Sequence, residues 1–336
     1  MEPWRRALNG DPLPWLLDEG TPAVRHLALR VLLDEPEDSP KVRRARAAAM
    51  RVDPIAAILA NQHPAGWWVK PGPGYAPKYT GTVWSIIFLD QMGADGRDRR
   101  IRTGCEHVLS HSIASNGGFG SSGRADDRPP PPSDVVHCLN GNLLRALIGF
   151  GWLDDERVRR AVEWQARSIT GEGFDRYYES GTSGPGFACA VNYKLPCAWG
   201  AIKALRGLAR IPPRRRQAIV RRALSRGVEF LLSRDPALAD YPTGSSVSSS
   251  WFKLGFPSGY VADVLQNLEV LGELGHANDP HLSAAIDLVL SKQDAEGRWR
   301  NEYPYRGKLW IDVDAPRAPS RWVTLRACSV LRQALG

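Results

Sequence analysis

No apolar run in the 336 residues approaches the roughly 20 that a membrane-spanning helix needs. Helical membrane proteins are therefore excluded as a class. The first seventeen residues, MEPWRRALNGDPLPWLL, lack an apolar core followed by small residues, so no secretory leader is expected and the cytoplasm is the expected location. Cysteine is sparse and odd in number: Cys105, Cys138, Cys189, Cys197 and Cys328. A large chain with so few does not rest on a disulfide scaffold, and reduced thiols are expected. No segment of useful length alternates apolar and polar residues, so no β-sheet is predicted. Zinc-finger spacings and RNP-type motifs are also missing, which argues against nucleic acid as a partner despite a net charge of +8.

What is abundant is arginine, tryptophan and a repeated grammar. The positive charge concentrates in Arg43 to Arg51 and Arg214 to Arg226. Solvated faces of outer helices account for such runs; an anionic membrane surface is the sharper reading. In the repeat, a hydrophobic helix leads through a Gly or Pro turn to a more charged helix, and a Gly-aromatic turn closes the unit. One copy starts at Thr80 and ends at Gly117-Gly118-Phe119, the next starts at His137 and ends at Gly173-Phe174, and another starts at Tyr260 and ends at Gly297-Arg-Trp299. Weaker copies start near Pro22 and Cys197, and a half-copy at Trp322. Starts recur roughly every 60 residues, which suits a long helical hairpin. Apolar residues fall at helical spacing, as in Leu144, Leu147 and Ile148 or Val264, Leu268 and Leu271. The first helix of each pair is apolar nearly all round, as a helix buried on two sides must be. The prediction is an all-α fold, one α/α toroid over residues 1–336, with six inner and six outer helices. Trp4 to Leu17 supplies the missing outer helix and closes the ring against the C-terminal helix.

The closing turns carry a resemblance. Gln62 with Gly66-Trp67, and Gln293 with Gly297 and Trp299, resemble the Gln-Trp repeats of squalene cyclases, and Gly117-Gly118-Phe119 resembles the related turn of protein prenyltransferase β subunits. The chain is also similar to small microbial prenyltransferase/squalene-oxidase repeat proteins. Asp11-Pro-Leu-Pro-Trp-Leu-Leu, Pro22-Ala-Val-Arg, His137-Cys-Leu-Asn-Gly-Asn (with Asn140 and Asn142), Gly255-Phe-Pro and Ser320-Arg-Trp-Val-Thr carry that likeness. The resemblance implies the terpenoid cyclase-like toroid and a pocket inside the ring. It brings no established reaction.

Three chemistries follow from it. Class II cyclases protonate an alkene or epoxide with the middle Asp of Asp-x-Asp-Asp; Asp312-Val-Asp314-Ala315 is the nearest match, lacks the last Asp and precedes two prolines. Asp134, just before the third inner helix, and Asp263, on an otherwise apolar inner helix, are further acids, and His137 is a further acid–base candidate. A helix cap is the competing role for Asp263. Prenyltransferases hold zinc with Asp, Cys and His near inner-helix starts, and His137, Cys138, Cys189 and Cys197 are a sensible tetrahedral set for zinc. Pro196 stands near where the ligand Asp is expected, and buried free thiols are the competing reading. Finally, Tyr79, Trp84, Trp199, Trp251, Phe256, Tyr260 and Trp322 lie on or just before inner helices. Aromatic faces stabilise carbocations by about 0.5 to 2 kcal/mol each and suit any apolar ligand. No Asp-rich magnesium motif of the class I kind is present.

The expected function is an enzyme acting on an isoprenoid or similar apolar substrate in a dry aromatic cavity, by protonation and cyclisation. A non-catalytic lipid-binding or scaffold toroid, a zinc-dependent transferase and a polysaccharide-active barrel are the alternatives. A single ring needs a partner, a second copy in a homodimer or a membrane surface to complete its pocket.

Overall fold

The computed structural model describes residues 2–122, 128–174 and 182–336. Two one-turn helices, α1 (Pro3–Arg6) and α2 (Leu13–Leu16), come first, followed by α3 (Pro22–Val31), α4 (Pro40–Ala49) and α5 (Ile55–Ala60). Four hairpins succeed them: α6 (Thr82–Gln91) with α7 (Arg99–His111), α8 (His137–Gly149) with α9 (Glu156–Thr170), α10 (Ala198–Ala209) with α11 (Ala218–Leu232), and α12 (Val264–Glu273) with α13 (Ser283–Leu290). Helix α14 (Arg321–Leu335) stands last. Among the described residues, extended backbone pairs only as isolated bridges.

The architecture is the predicted all-α toroid. Helices α6, α8, α10, α12 and α14 touch in sequence, and α14 touches α3. Gly93, just past α6, lies against His26 and Leu27 of α3 and completes the inner ring of six. The inner and outer roles follow from the residues. In α6 every residue from Thr82 to Leu89 is buried, as a largely apolar helix between two layers must be. In α9 the buried positions Val158, Ala161, Val162, Gln165, Ala166 and Ile169 form one stripe, and arginines take the wet face. Side chains of Ser39, Asp98, Asp155, Asp263 and Ser320 cap the helices that follow them.

The closing turns are staples. Trp68 Nε1 donates to Ile58 O at 2.7 Å while its backbone N–H donates to Thr82 Oγ1. Trp299 repeats the pattern on Val289 O and Thr324 Oγ1. The buried staple is thus Trp68; Trp67, the ring singled out from the sequence, stacks on His63 at 4.0 Å on the surface side. Gln62 Nε2 donates to Arg100 O at 2.9 Å, so the glutamine ties its turn to the start of α7.

Two departures concern ring closure and the inner wall. Residues 4–17 do not make one helix: Gly10 lies 2.8 Å (as a virtual Cβ) from the Glu296 backbone, and Asn9-Gly10-Asp11-Pro12 runs as a strap. Asn9 N donates to Gln293 Oε1 at 2.8 Å, Asn9 Nδ2 to Asp294 O, and Gln293 Nε2 to Ala7 O. Both one-turn helices pack on α14. The inner helices, moreover, are not uniformly apolar. Arg145, Lys203, Arg206, Glu269 and Arg326 stand on them, in the middle of the molecule.

Candidate functional site: an aromatic mouth above a charged axis

The loops that lead into α6, α12 and α14 bring tyrosines together at one end of the ring. Trp84 is fully buried and donates from Nε1 to Tyr75 O at 2.9 Å. Its ring meets Tyr260 at 5.2 Å, Tyr79 at 5.3 Å and Tyr75 at 5.6 Å between centroids. Tyr79 lies 4.5 Å from Tyr305, which meets Tyr303 at 5.1 Å. These spacings are those of favourable edge and offset aromatic pairs. Tyr75, Tyr79, Tyr260 and Tyr303 remain partly exposed. Lys78 Nζ sits 5.5 Å from the Tyr260 ring centre. Burial pushes the Tyr260 phenol well above its ordinary value, and the Tyr75 ring lies 6.1 Å from it between centroids. Tyr75, Tyr303 and Tyr305 were not singled out from the sequence; no helical periodicity marks a loop tyrosine.

Below the mouth the axis turns polar. Cys138 of α8 is in electrostatic reach of Tyr75, Tyr260 and Lys203, and burial pushes its thiol up to about 12. Lys203 of α10 is fully buried, its ammonium donates to Gln266 Oε1 of α12, and burial pulls it down to about 7. One turn further on, Arg326 holds Glu269 through two bonds, with Nε at 2.6 Å from Oε1, and approaches Asp263 at 3.7 Å. Arg206 reaches the same Glu269 at 3.1 Å. Burial works against the Glu269 charge, but the Arg326 and Arg206 guanidiniums overcome it and hold the carboxyl down at about 2. Arg145 grips Glu273 in a fork at 2.7 and 2.9 Å. The centre is thus an ion-pair column rather than a dry chamber. A cleft of about 420 Å³ lies away from this axis, lined by Arg102, Glu106, His107, His111 and Trp152.

The remaining candidates sort by their partners. Asp263 caps α12: Oδ1 accepts from Gln266 N at 2.8 Å and Oδ2 from Gly255 N at 3.0 Å. Asp134 ends a short turn and accepts from the Ser133 hydroxyl. Asp312 is exposed and accepts from Gly307 N. Asp314 accepts from Asn301 Nδ2 at 2.8 Å and Ser320 Oγ at 2.9 Å, and burial lifts its carboxyl above the ordinary value. Asn301 also donates to Phe256 O, and Phe256 stacks on Trp322 at 4.5 Å. Trp251 donates to Pro236 O and packs on Tyr241, outside the mouth. Trp199 is half-buried at the start of α10. Asn142 donates to Gly259 O beside Tyr260, whereas Asn140 is spent on Phe119 N, Ala161 O and Gln165 Oε1.

The four proposed zinc ligands do not converge. His137 is buried with Nε2 against Gly184 O at 3.1 Å and Nδ1 against Gln165 Nε2 at 2.9 Å, and burial pulls it down to about 4. Both ring nitrogens are taken, and the imidazole is neutral. The three thiols do cluster at the start of α10. Cys197 caps it, its sulfur accepting from Gly200 N at 3.5 Å. Among the described residues, no group of three or more His, Cys, Asp or Glu side chains is arranged to hold a metal. Nor does any helix there have the length and apolarity to cross a membrane. Several arginines of the basic stretches are tied to the protein: Arg215 to Asp154, Arg222 to Glu172 and Arg46 to Glu37.

No family model matches this chain, and no curated protein does. Among solved structures it is similar to an unsaturated glucuronyl hydrolase specific for heparin, at 11% identity and a TM-score of 0.47, over 94% of this chain and 85% of that one. A protein from Actinoplanes shares 16% identity at a TM-score of 0.44, over 94% and 90% of the two chains. A type II terpene cyclase, MstE from Scytonema, solved with geranylgeranyl dihydroxybenzoate, shares 12% at a TM-score of 0.30, over 84% and 95%. A fold does not by itself fix a reaction, so the chemistry of this ring has to come from its own residues.

Proposed function

We propose that the protein is an enzyme that takes a largely apolar, isoprenoid-like small molecule at the tyrosine mouth and protonates it with Asp314. The observation that carries this reading is the single loop of residues 299–320. It bears Asp314, whose carboxyl burial lifts toward the neutral form, together with Tyr303 and Tyr305, which extend the aromatic cluster of Tyr79, Trp84 and Tyr260. An acid whose charged form burial disfavours suits protonation of an alkene: the acid O–H bond breaks, the alkene π pair takes the proton, and aromatic faces stabilise the cation left behind. The other acids offer less. Both oxygens of Asp263 are taken up as the cap of α12, Asp134 ends a short turn, and Asp312 is exposed.

A second reading has its own support. The ion-pair column fills the middle of the ring, which leaves the mouth as a shallow ligand seat and favours binding without turnover. Native mass spectrometry of the purified chain, followed by incubation with linear isoprenoids, separates the two. The enzyme reading expects a bound apolar ligand and cyclised product, with Asp314→Asn losing product while keeping ligand and Tyr79→Ala losing both. Ligand without product in the parent chain establishes the binding reading instead. Neither ligand nor product removes both.

A further inference from the structure

Among the described residues the four most exposed large apolar side chains are Val191, Tyr193, Leu238 and Val69. All four lie in loops that lead into inner helices, and so at the mouth end of the ring. Two of them share one tip. Residues 189–195, before α10, form a tight finger that carries Val191 at 89% exposure and Tyr193 at 72%. A single exposed apolar residue calls for no explanation, but two large ones held out side by side do. The finger is fixed in that pose. Lys194 N donates to Cys189 O at 2.8 Å and Leu195 N to Asn192 O at 2.9 Å, which closes the tip. Asn192 Nδ2 donates to Pro196 O and to Pro242 O, both at 3.0 Å, which ties the finger to the next loop. Tyr193 and Lys194 hold left-handed backbone, with φ of 54° and 66°, a costly conformation for residues other than glycine. Strain of this kind persists only where the surroundings enforce it, and it marks surfaces with a use.

The charge around the finger selects its partner. Residues 61–81 and 182–197 carry Lys70, Lys78 and Lys194 and no aspartate or glutamate. In residues 242–262 and 303–319, Lys253, Arg306, Lys308 and Arg317 stand exposed against Asp312, with Asp314 half-buried. The loops of this end thus surround an apolar tip with positive charge. A second copy offering the same face would meet like charge with like charge, which disfavours a face-to-face dimer. A fluid anionic surface complements both the cations and the apolar tip.

We propose that this face docks on an anionic lipid surface, with Val191 and Tyr193 entering the interface and the lysines and arginines meeting the headgroups. A tyrosine beside an aliphatic side chain suits that boundary, since its ring goes to the apolar layer and its hydroxyl stays in the wet one. Nearby cations add attraction to acidic headgroups. In this pose the tyrosine mouth faces the lipid. The docking stands whether or not a reaction takes place at the mouth.

Co-sedimentation of the full chain with vesicles tests it, using phosphatidylcholine alone and phosphatidylcholine mixed with phosphatidylglycerol. The mixed vesicles should bind about tenfold more tightly or better, and added sodium chloride should weaken that binding. Val191→Ser combined with Tyr193→Asn should lower binding by about tenfold or more while circular dichroism and melting temperature hold, asparagine being tolerant of left-handed backbone. Lys253→Gln combined with Lys308→Gln leaves the finger intact and should lower binding to the mixed vesicles by about fivefold or more. Asp314→Asn should bind as the parent does, which separates docking from any reaction. No binding to the mixed vesicles, equal binding to the neutral ones, or binding unchanged in both double variants would each overturn the proposal. A dimer in sedimentation velocity that the finger variant dissolves would also overturn it, by giving the tip to a second copy.

Discussion

Lys203 is the residue on which the interior turns. Its ordinary value is 10.5 and burial pulls it to about 7, so between those limits the unfolded chain binds the proton that the folded chain sheds. Stability therefore rises with pH through that window, and below about 7 the full cost of burying the charge is present. Lys203→Met should flatten this rise. Urea unfolding at pH 7 and pH 10 should show a parent chain that gains on the order of a few kcal/mol and a variant that does not. A variant with the parent's slope would mean that the ammonium is solvated. Neither Lys203 nor Tyr305 was legible beforehand. A lone lysine within AWGAIKALRGLA reads as the wet edge of an apolar helix, because the sequence of one helix does not reveal that two others close over it. The acids were visible as acids, but only the fold separates Asp263, a cap, from Asp314, an acid lifted by burial.

At the scale of elements, α8 and α10 approach closest. A Cβ on Gly141 would lie 2.2 Å from the Lys203 carbonyl oxygen, and one on Gly207 would lie 2.6 Å from the Gly141 oxygen. Both close contacts are with backbone, so neither side chain can move aside. Gly141→Ala should force the two helices apart and cost about 2 to 4 kcal/mol, despite the better helix propensity of alanine. Thermal unfolding measures it; an unchanged melting temperature would show that the helices can slide. The elements themselves were legible, since helical spacing and Gly-aromatic turns mark inner from outer helices. The Trp67 and Trp68 pair was harder. Adjacent rings point to opposite sides of a turn, and only the fold selects Trp68 as the one that reaches Ile58 O.

For the whole molecule, the ion-pair column joins α8, α10, α12 and α14 at one level. Arg326 is its hub, and removing it leaves Glu269 buried with only part of Arg206. Arg326→Met should destabilise the chain by about 3 to 5 kcal/mol, and adding Glu269→Leu should recover much of the loss, since burying two apolar groups costs less than burying one charge alone. Chemical denaturation of the two single variants and the double variant closes that cycle. Additive losses would mean that the pair contributes nothing beyond its members.

The strap from Asn9 to Gln293 bridges 284 positions of chain. At ribosomal speeds of about 5 to 20 residues per second, the first partner waits roughly 15 to 60 s for the second. Throughout that interval Trp4 and Leu16 lack the helix that covers them. The seam of this wheel is the last thing to be sewn, and a nascent chain stalled short of α14 would present those two side chains, with the unfinished inner wall, to whatever chaperone or neighbour arrives first.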